Sequence, residues 1–246
     1  AQGFARIAIA NEPPFTAVAA DGTVSGAAPD VAREIFKRLG VNEVVASISE
    51  YGAMIPGLQA KRHDAITAGL FMKPERCEAV AYSEPVLCDA EAFLLPKGNP
   101  KGFKSFADIA KDATAKIGAP GGGTEEKLAL EAGVPRDRVI VVPDGQSGLK
   151  MLQDGRIDVY SLPVLSISDL IKKAADPNLE MFSPVSGAPV YCDGAAFRKE
   201  DTALRDAFDV ELAKMKESGE FAAIIEPYGF SAAAAQSTSR AKLCGE

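Results

Sequence analysis

A single histidine, His63, stands among 246 residues. Hydrolases built on Ser-His-Asp need a positioned imidazole, and His63 lies in AKRHDAI, where an exposed loop residue is expected. Positive charge is also short, at 27 Lys and Arg against 34 Asp and Glu, a net charge of −7 with no basic run. Nucleic acid is therefore not an expected partner. No apolar run approaches the roughly 20 residues that span a bilayer as a helix. The four cysteines, Cys77, Cys88, Cys192 and Cys244, show no C-x-x-C or Cys/His spacing, which argues against zinc. Disulfides in an oxidising compartment and buried thiols both stay open. Neither a metal, a cofactor nor a catalytic residue is expected.

What is present is a glycine-rich entry to a helix, APGGGTEEKLALEAG, residues 119–133. A bare helix N-terminus presents N–H groups at the positive end of its dipole and suits an anion. Nucleotide loops need more: Gly-Lys-Ser/Thr after four spacers, or G-x-G-x-x-G. Here Gly123 is followed by Thr124, Glu125 and Glu126 with no lysine. Two carboxylates in the first turn oppose a polyanion but tolerate one carboxylate held by Thr124. The alternative is an ordinary helix start with Thr124 as N-cap.

Strands and helices alternate along the chain. FARIAIA (4–10) predicts a buried strand, and PDVAREIFKRLG (29–40) a helix with Val31, Ile35 and Leu39 on one face. NEVVASIS, YGAMIPGLQAKR and HDAITAG continue as strand, helix and strand, the βαβ order of a mostly parallel sheet. A second α/β series follows CDAEAFLLPKGNP, and VYCDGAAFRK predicts a returning strand before two closing helices. VLCDAEAFLLPKG (86–98) and VYCDGAAFRKED (190–201) share a pattern and bracket the middle series. A chain that leaves one α/β lobe, builds a second and returns crosses twice by such strands. Clefts at the carboxyl ends of parallel strands are where ligands bind. The expected division is residues 1–90 with 195–246, and 91–194. The chain enters a strand soon after Ala1, so a mature chain from which a signal peptide has been removed is expected.

Taken together, NEPPF, GTVSGAAPDVAREIFKRLG, MKPERCEAV, GGGTEE, GLKMLQDGRIDVY and GAAFRKEDTALRDAF resemble the polar-amino-acid-type periplasmic solute-binding proteins of ABC importers. The resemblance covers nearly the whole chain. It implies two α/β lobes joined by a two-strand hinge that closes around one small solute, a periplasmic location, and membrane subunits of an importer as partners. A monomer is expected. Within that family the resemblance leans to receptors for ectoine and hydroxyectoine, compatible solutes used in osmoprotection.

The residues can be weighed beside that resemblance. Arg76 follows AITAGLFMKPE, and a guanidinium offers a planar two-pronged match to a carboxylate. The family's "PER" arginine holds the ligand carboxylate, a role the resemblance assigns to Arg76. The alternative is a surface pair with Glu75 or Glu78. Gly123 and Thr124 then offer an N–H and a hydroxyl to the same carboxylate. Phe15, Tyr51 and Phe71 fall at the ends of first-lobe strands in a chain that is only 7% aromatic. Ring faces attract a delocalised cation at about 0.5–2 kcal/mol each, while core packing is the plainer role for any one of them. Phe71 interrupts the loop between Gly69 and Arg76, and Glu12 at a strand end is available as counter-ion.

The family's amino-acid receptors carry an aspartate for the α-ammonium shortly after the "GRIDV" strand. Here GRIDVYSLPVLS has Leu162 and Pro163 there. An ammonium desolvated without a counter-charge is costly, so a zwitterion lacking a primary α-amine is expected. The expectation is thus a binding protein and not an enzyme. The rivals are a receptor for another such solute, a dehydratase-like enzyme on the same fold, and a sensing domain of a receptor kinase.

Overall fold

The computed structural model describes residues 3–245. The chain forms two compact units, one built from the chain up to Cys88 together with the chain from Tyr191 on, the other from Asp89–Val190. The first unit opens with β1 (Phe4–Ile9), the short hairpin of β2 (Ala17–Val18) and β3 (Val24–Ser25), and α1 (Ala27–Arg38). It continues through β4 (Glu43–Ile48), α2 (Tyr51–Gln59), β5 (Ala65–Ile66), α3 (Pro74–Ala79), β6 (Ala81–Tyr82) and β7 (Cys88–Asp89). Ile7, Ala8 and Ile9 of β1 are fully buried, as suits an interior strand between β4 and β5, while Arg6 interrupts the apolar run and pairs with Asp64. The α1 helix buries Val31 and Ile35 as its period predicts, while Leu39 is its half-buried C-cap.

In the second unit, β8 (Glu91–Pro96), α4 (Phe106–Lys111), β9 (Ile117–Pro120), α5 (Thr124–Glu131) and β10 (Val139–Val142) lead on to α6 (Gly145–Gln153). Then come β11 (Val159–Pro163), α7 (Val164–Ala174) and β12 (Leu179–Phe182). The core strand β8 is buried on both faces. Phe93 and Leu95 join one cluster with Phe106, Ile109 and Ile117, and Ala92 and Leu94 join another with Leu149, Tyr160 and Ile167. Alternation of side chains across a strand makes that division automatic.

The returning chain completes the first unit with β13 (Tyr191–Cys192), β14 (Ala196–Phe197), α8 (Thr202–Ser218), α9 (Glu220–Ile225), α10 (Ala232–Gln236) and α11 (Arg240–Cys244). VYCDGAAFRK is therefore two short strands broken at Asp193 and Gly194, not one. HDAITAG likewise contributes only Ala65–Ile66, because Gly69 at φ 78° turns the chain out of the sheet.

The two sheets repeat one plan. Their strand orders are β4-β1-β5-β14-β6 and β10-β9-β11-β8-β12. In each, one strand runs against its neighbours: β14 is antiparallel to β5 and β6, and β8 is antiparallel to β11 and β12. These are the strands that arrive straight from a chain crossing rather than through a covering helix. A parallel neighbour needs a helical crossover, so a strand that enters without one inserts reversed. The sheets are mixed where the alternation of elements predicted mostly parallel ones.

All four cysteines are paired, as Cys77–Cys244 and Cys88–Cys192. The first ties α3 to α11, and the second joins the two segments at which the chain passes between units. His63 is not an exposed loop residue. It is buried, with Nδ1 3.3 Å from Ser47 Oγ and its ring against Gly57. Burial pulls its pKa below the ordinary 6.5, helped by the nearby Arg6 charge and opposed by Asp64.

Candidate functional site

In the first unit the candidate residues come from the carboxyl ends of three adjacent parallel strands, β4, β1 and β5. Carboxyl ends of parallel strands leave loops free to gather polar groups around a ligand. Glu12 follows β1 in a turn closed by Thr16, whose N–H donates to Glu12 O at 3.0 Å and whose Oγ1 accepts from Glu12 N at 3.1 Å. Tyr51 opens α2 directly after β4. Its hydroxyl lies 3.2 Å from Glu12 Oε2 and 3.0 Å from Ala68 O, so one phenol ties the β1 and β5 loops together.

The β5 loop carries Gly69 and Phe71. A Cβ at Gly69 would stand 2.7 Å from Phe15 Cδ1, and at φ 78° any side chain there is strained. Gly69 is thus the residue that lets the Phe15 ring approach the loop. Phe15 is buried, edge-on to Phe71 at 6.0 Å and to Phe230 at 4.7 Å between centroids. Phe71 in turn stacks on Tyr191 at 5.6 Å with an interplanar angle of 17°. Arg76, half-buried in α3, reaches back with Nη1 donating to Phe71 O at 2.8 Å. The structure therefore brings Glu12, Phe15, Tyr51, Gly69, Phe71 and Arg76 into one connected group within the first unit.

Three further residues of this neighbourhood escaped the sequence reading. Tyr191 supplies the stacking face for Phe71, and the buried Lys73 places Nζ 5.1 Å from the Tyr191 ring centroid. Asp193, 2% exposed, bridges to Phe71 across an isolated antiparallel contact. Burial pushes its carboxyl up to about 7 against the opposing pull of the Leu87 and Gly69 N–H groups. A tyrosine in a strand next to a cysteine carries no local signal of this kind, since its partner Phe71 lies far away in sequence.

The remaining candidates, Gly123 and Thr124, belong to the second unit, at the carboxyl end of β9. Gly123 is the N-cap of α5, without a side-chain capping bond, and Thr124 is the buried first residue of the helix. Thr124 as N-cap is thereby corrected. The Gly123 N–H is spent on Pro120 O at 3.0 Å, and Gly122 N–H donates to Glu126 Oε2 at 2.5 Å. The Gly122 and Gly123 N–H groups are therefore committed within the turn, and Thr124 is the first residue after them to offer donors to an outside anion. A Cβ at Gly123 would meet Glu125 Oε2 at 2.7 Å and Pro120 O at 3.0 Å, so the turn closes only around glycine.

Leu162 is buried in the core cluster of the second unit, and Pro163 stands in register with Glu91 of β8. Glu91 is a carboxylate of 1% exposure. This end of β11 therefore does not lack an acidic residue, and the missing aspartate alone does not exclude an ammonium there. The signal was present as an acidic residue heading the apolar run EAFLLP, but its opposite number across the sheet was not legible.

Comparison with known proteins adds the family. Residues 5–231 match the bacterial extracellular solute-binding proteins, family 3. The chain is 34% identical, over 99% of its own length and 84% of the relative's, to the probable amino-acid ABC transporter periplasmic-binding protein y4tE of Sinorhizobium fredii. It is similar to the crystal structure of EhuB in complex with hydroxyectoine, with TM-score 0.98, 86% identity, and 99% and 95% of the two chains covered. An ancestral amino-acid-binding protein, AncCDT-1, a precursor of cyclohexadienyl dehydratase, superposes with TM-score 0.81 at 25% identity over 92% and 96% of the chains.

Proposed function

The chain belongs to the bacterial extracellular solute-binding proteins, family 3, and from that premise we propose that its solute is hydroxyectoine or ectoine, captured outside the cytoplasm for an ABC importer. A ring amidinium and a carboxylate are the two charges of such a molecule. Arg76 is assigned the carboxylate, and the Thr124 hydroxyl and helix N–H are the anion donors proposed within the second unit. Glu12 is assigned the amidinium as counter-ion, and Phe15, Tyr51 and Phe71 supply ring faces for a delocalised, weakly hydrated cation. The observation that carries the reading is the group of a carboxylate, three aromatic rings and an arginine on three adjacent strand ends, joined by the Tyr51–Glu12 and Arg76–Phe71 hydrogen bonds. The 86% identity to EhuB, solved with hydroxyectoine, supports the same ligand class.

The same proposal makes the protein a carrier and not a catalyst. General acid–base work needs a group poised at a reacting proton. Glu12, the one acidic candidate among these residues, has its Oε2 within hydrogen-bond distance of the Tyr51 hydroxyl and is assigned to the counter-ion role. Titration calorimetry against hydroxyectoine, ectoine, arginine, lysine, histidine and glutamine tests the reading. Either ectoine is expected to bind tighter than all four amino acids and to be recovered unchanged. Tighter binding of any of the four, or turnover of the bound solute, overturns it.

A further inference from the structure

The sequence repeats Val-x-Cys-Asp at both chain crossings, VLCD at 86–89 and VYCD at 190–193. The cysteines pair with each other, Cys88 with Cys192. The aspartates do parallel work in the units they enter. Asp89 accepts from Ala90 N at 2.8 Å and from Leu165 N, in the first turn of α7, at 2.9 Å. Asp193 accepts from Leu87 N at 2.7 Å, and the nearby Gly69 N–H favours its charged form. The disulfide accounts for the cysteines, but nothing in the proposed function yet uses Asp193.

Its surroundings say what it holds. Leu87 and Asp193 exchange a further bond, Asp193 N to Leu87 O at 2.8 Å, and Val86 N donates to Asp193 O at 2.9 Å. On the other side, Met72 N donates to Cys192 O at 2.8 Å, and Phe71 lies opposite Asp193. The buried Asp193 thus stands where both crossing segments meet the Gly69–Met72 loop, which carries the ring of Phe71 and the carbonyl that Arg76 grips. A buried donor left without an acceptor is costly, so the Leu87 N–H needs its acceptor at Asp193, and a carboxylate also suits the Gly69 N–H beside it.

We propose that Asp193 is a positioning residue for solute binding, setting the pose of Gly69 and Phe71 from the crossing segments behind them. This rests on the reading of Phe71 and Arg76 as ligand contacts. Asp193→Asn keeps the shape but turns an amide NH2 toward one of the two N–H donors. Hydroxyectoine is the probe, by calorimetry well below melting, together with hydrogen exchange of the free proteins. Asp64→Asn, which breaks the Arg6 ion pair, is the control for destabilisation alone.

The expected result is an Asp193→Asn protein that is folded and binds about tenfold or more weaker, the scale of one lost charge-assisted hydrogen bond. The amides of Gly69–Met72 and Leu87 exchange faster, those of β1 do not, and Asp64→Asn melts earlier but keeps its affinity. Affinity within about threefold of the parent in a folded Asp193→Asn protein overturns the proposal, since about 0.65 kcal/mol or less would then be at stake. Should the parent itself not bind hydroxyectoine, the assigned function fails, and exchange alone decides Asp193: unchanged rates at Gly69–Met72 overturn it. Should Asp193→Asn not fold, the parent decides. Gly69 and Leu87 amides that open together support one shared acceptor, and amides that open independently refute it.

Discussion

Two interactions of Arg76 bear directly on the candidate site and are lost on replacement by alanine. The first is the Nη1 bond to Phe71 O at 2.8 Å, which fixes the loop bearing the Phe71 ring. The second is the proposed pair with the solute carboxylate. Truncating one partner of a buried, hydrogen-bonded charge pair costs about 2–5 kcal/mol, which is roughly 30-fold to several-thousand-fold in Kd. The loop bond adds about 1 kcal/mol. Stability should respond far less. Arg76 is half-buried and its backbone bond, N–H to Lys73 O at 2.9 Å, is kept by alanine. A loss near 1 kcal/mol lowers the melting temperature by about 2–4 °C in a chain of this size. Arg76→Lys keeps the charge but not the planar fork, and should lie nearer to alanine than to the parent. Calorimetry and melting curves on the three proteins give both numbers. An Arg76→Ala protein that melts normally and binds within about threefold of the parent refutes the assignment, because no desolvated charge pair is that weak. The Thr124 hydroxyl would then be the next residue to truncate.

Two further predictions follow from local geometry. Gly69→Ala places a methyl 2.7 Å from Phe15 Cδ1 at a φ of 78°, so affinity should fall by about tenfold or more with a loss of about 1–2 kcal/mol in stability; unchanged affinity would show that the Phe15–Gly69 contact does not shape the site. His63 is the sole histidine, so one imidazole proton resonance reports it without assignment. Its folded midpoint should fall below 6.5, chiefly through burial. A depressed folded pKa gives stability that is present above 6.5 and lost as pH falls through the folded midpoint. A midpoint at or above 6.5 is the result that contradicts the buried placement.

Much of the architecture was legible in the sequence because its long elements obey one period each. FARIAIA, PDVAREIFKRLG, RVIVVP and VLSISDLIKKA carry predominantly apolar runs or helical faces, and burial on a sheet or stripe is all that they need in order to form. The candidate site residues drew notice for a related reason. Glycine, proline and an isolated aromatic or charge at a strand end break the period, so NEPPF and GLFMKPER stand out against their surroundings.

What stayed hidden depends on partners distant in sequence. The reversal of β8 and β14 follows from how each strand enters its sheet, not from its composition. The pairings Cys77–Cys244 and Cys88–Cys192 span 167 and 104 residues, beyond any local pattern. Tyr191 acquires its role from Phe71, Glu91 from its register with Pro163, and Asp193 from the Leu87 N–H on a distant segment. His63 was misjudged for the same reason: AKRHDAI reads as polar, yet Ser47 and Gly57 close over the ring. A periodic pattern records which face of an element avoids water. The partner that meets that face, and the buried polar group that must find its hydrogen bonds there, exist only once the chain has folded.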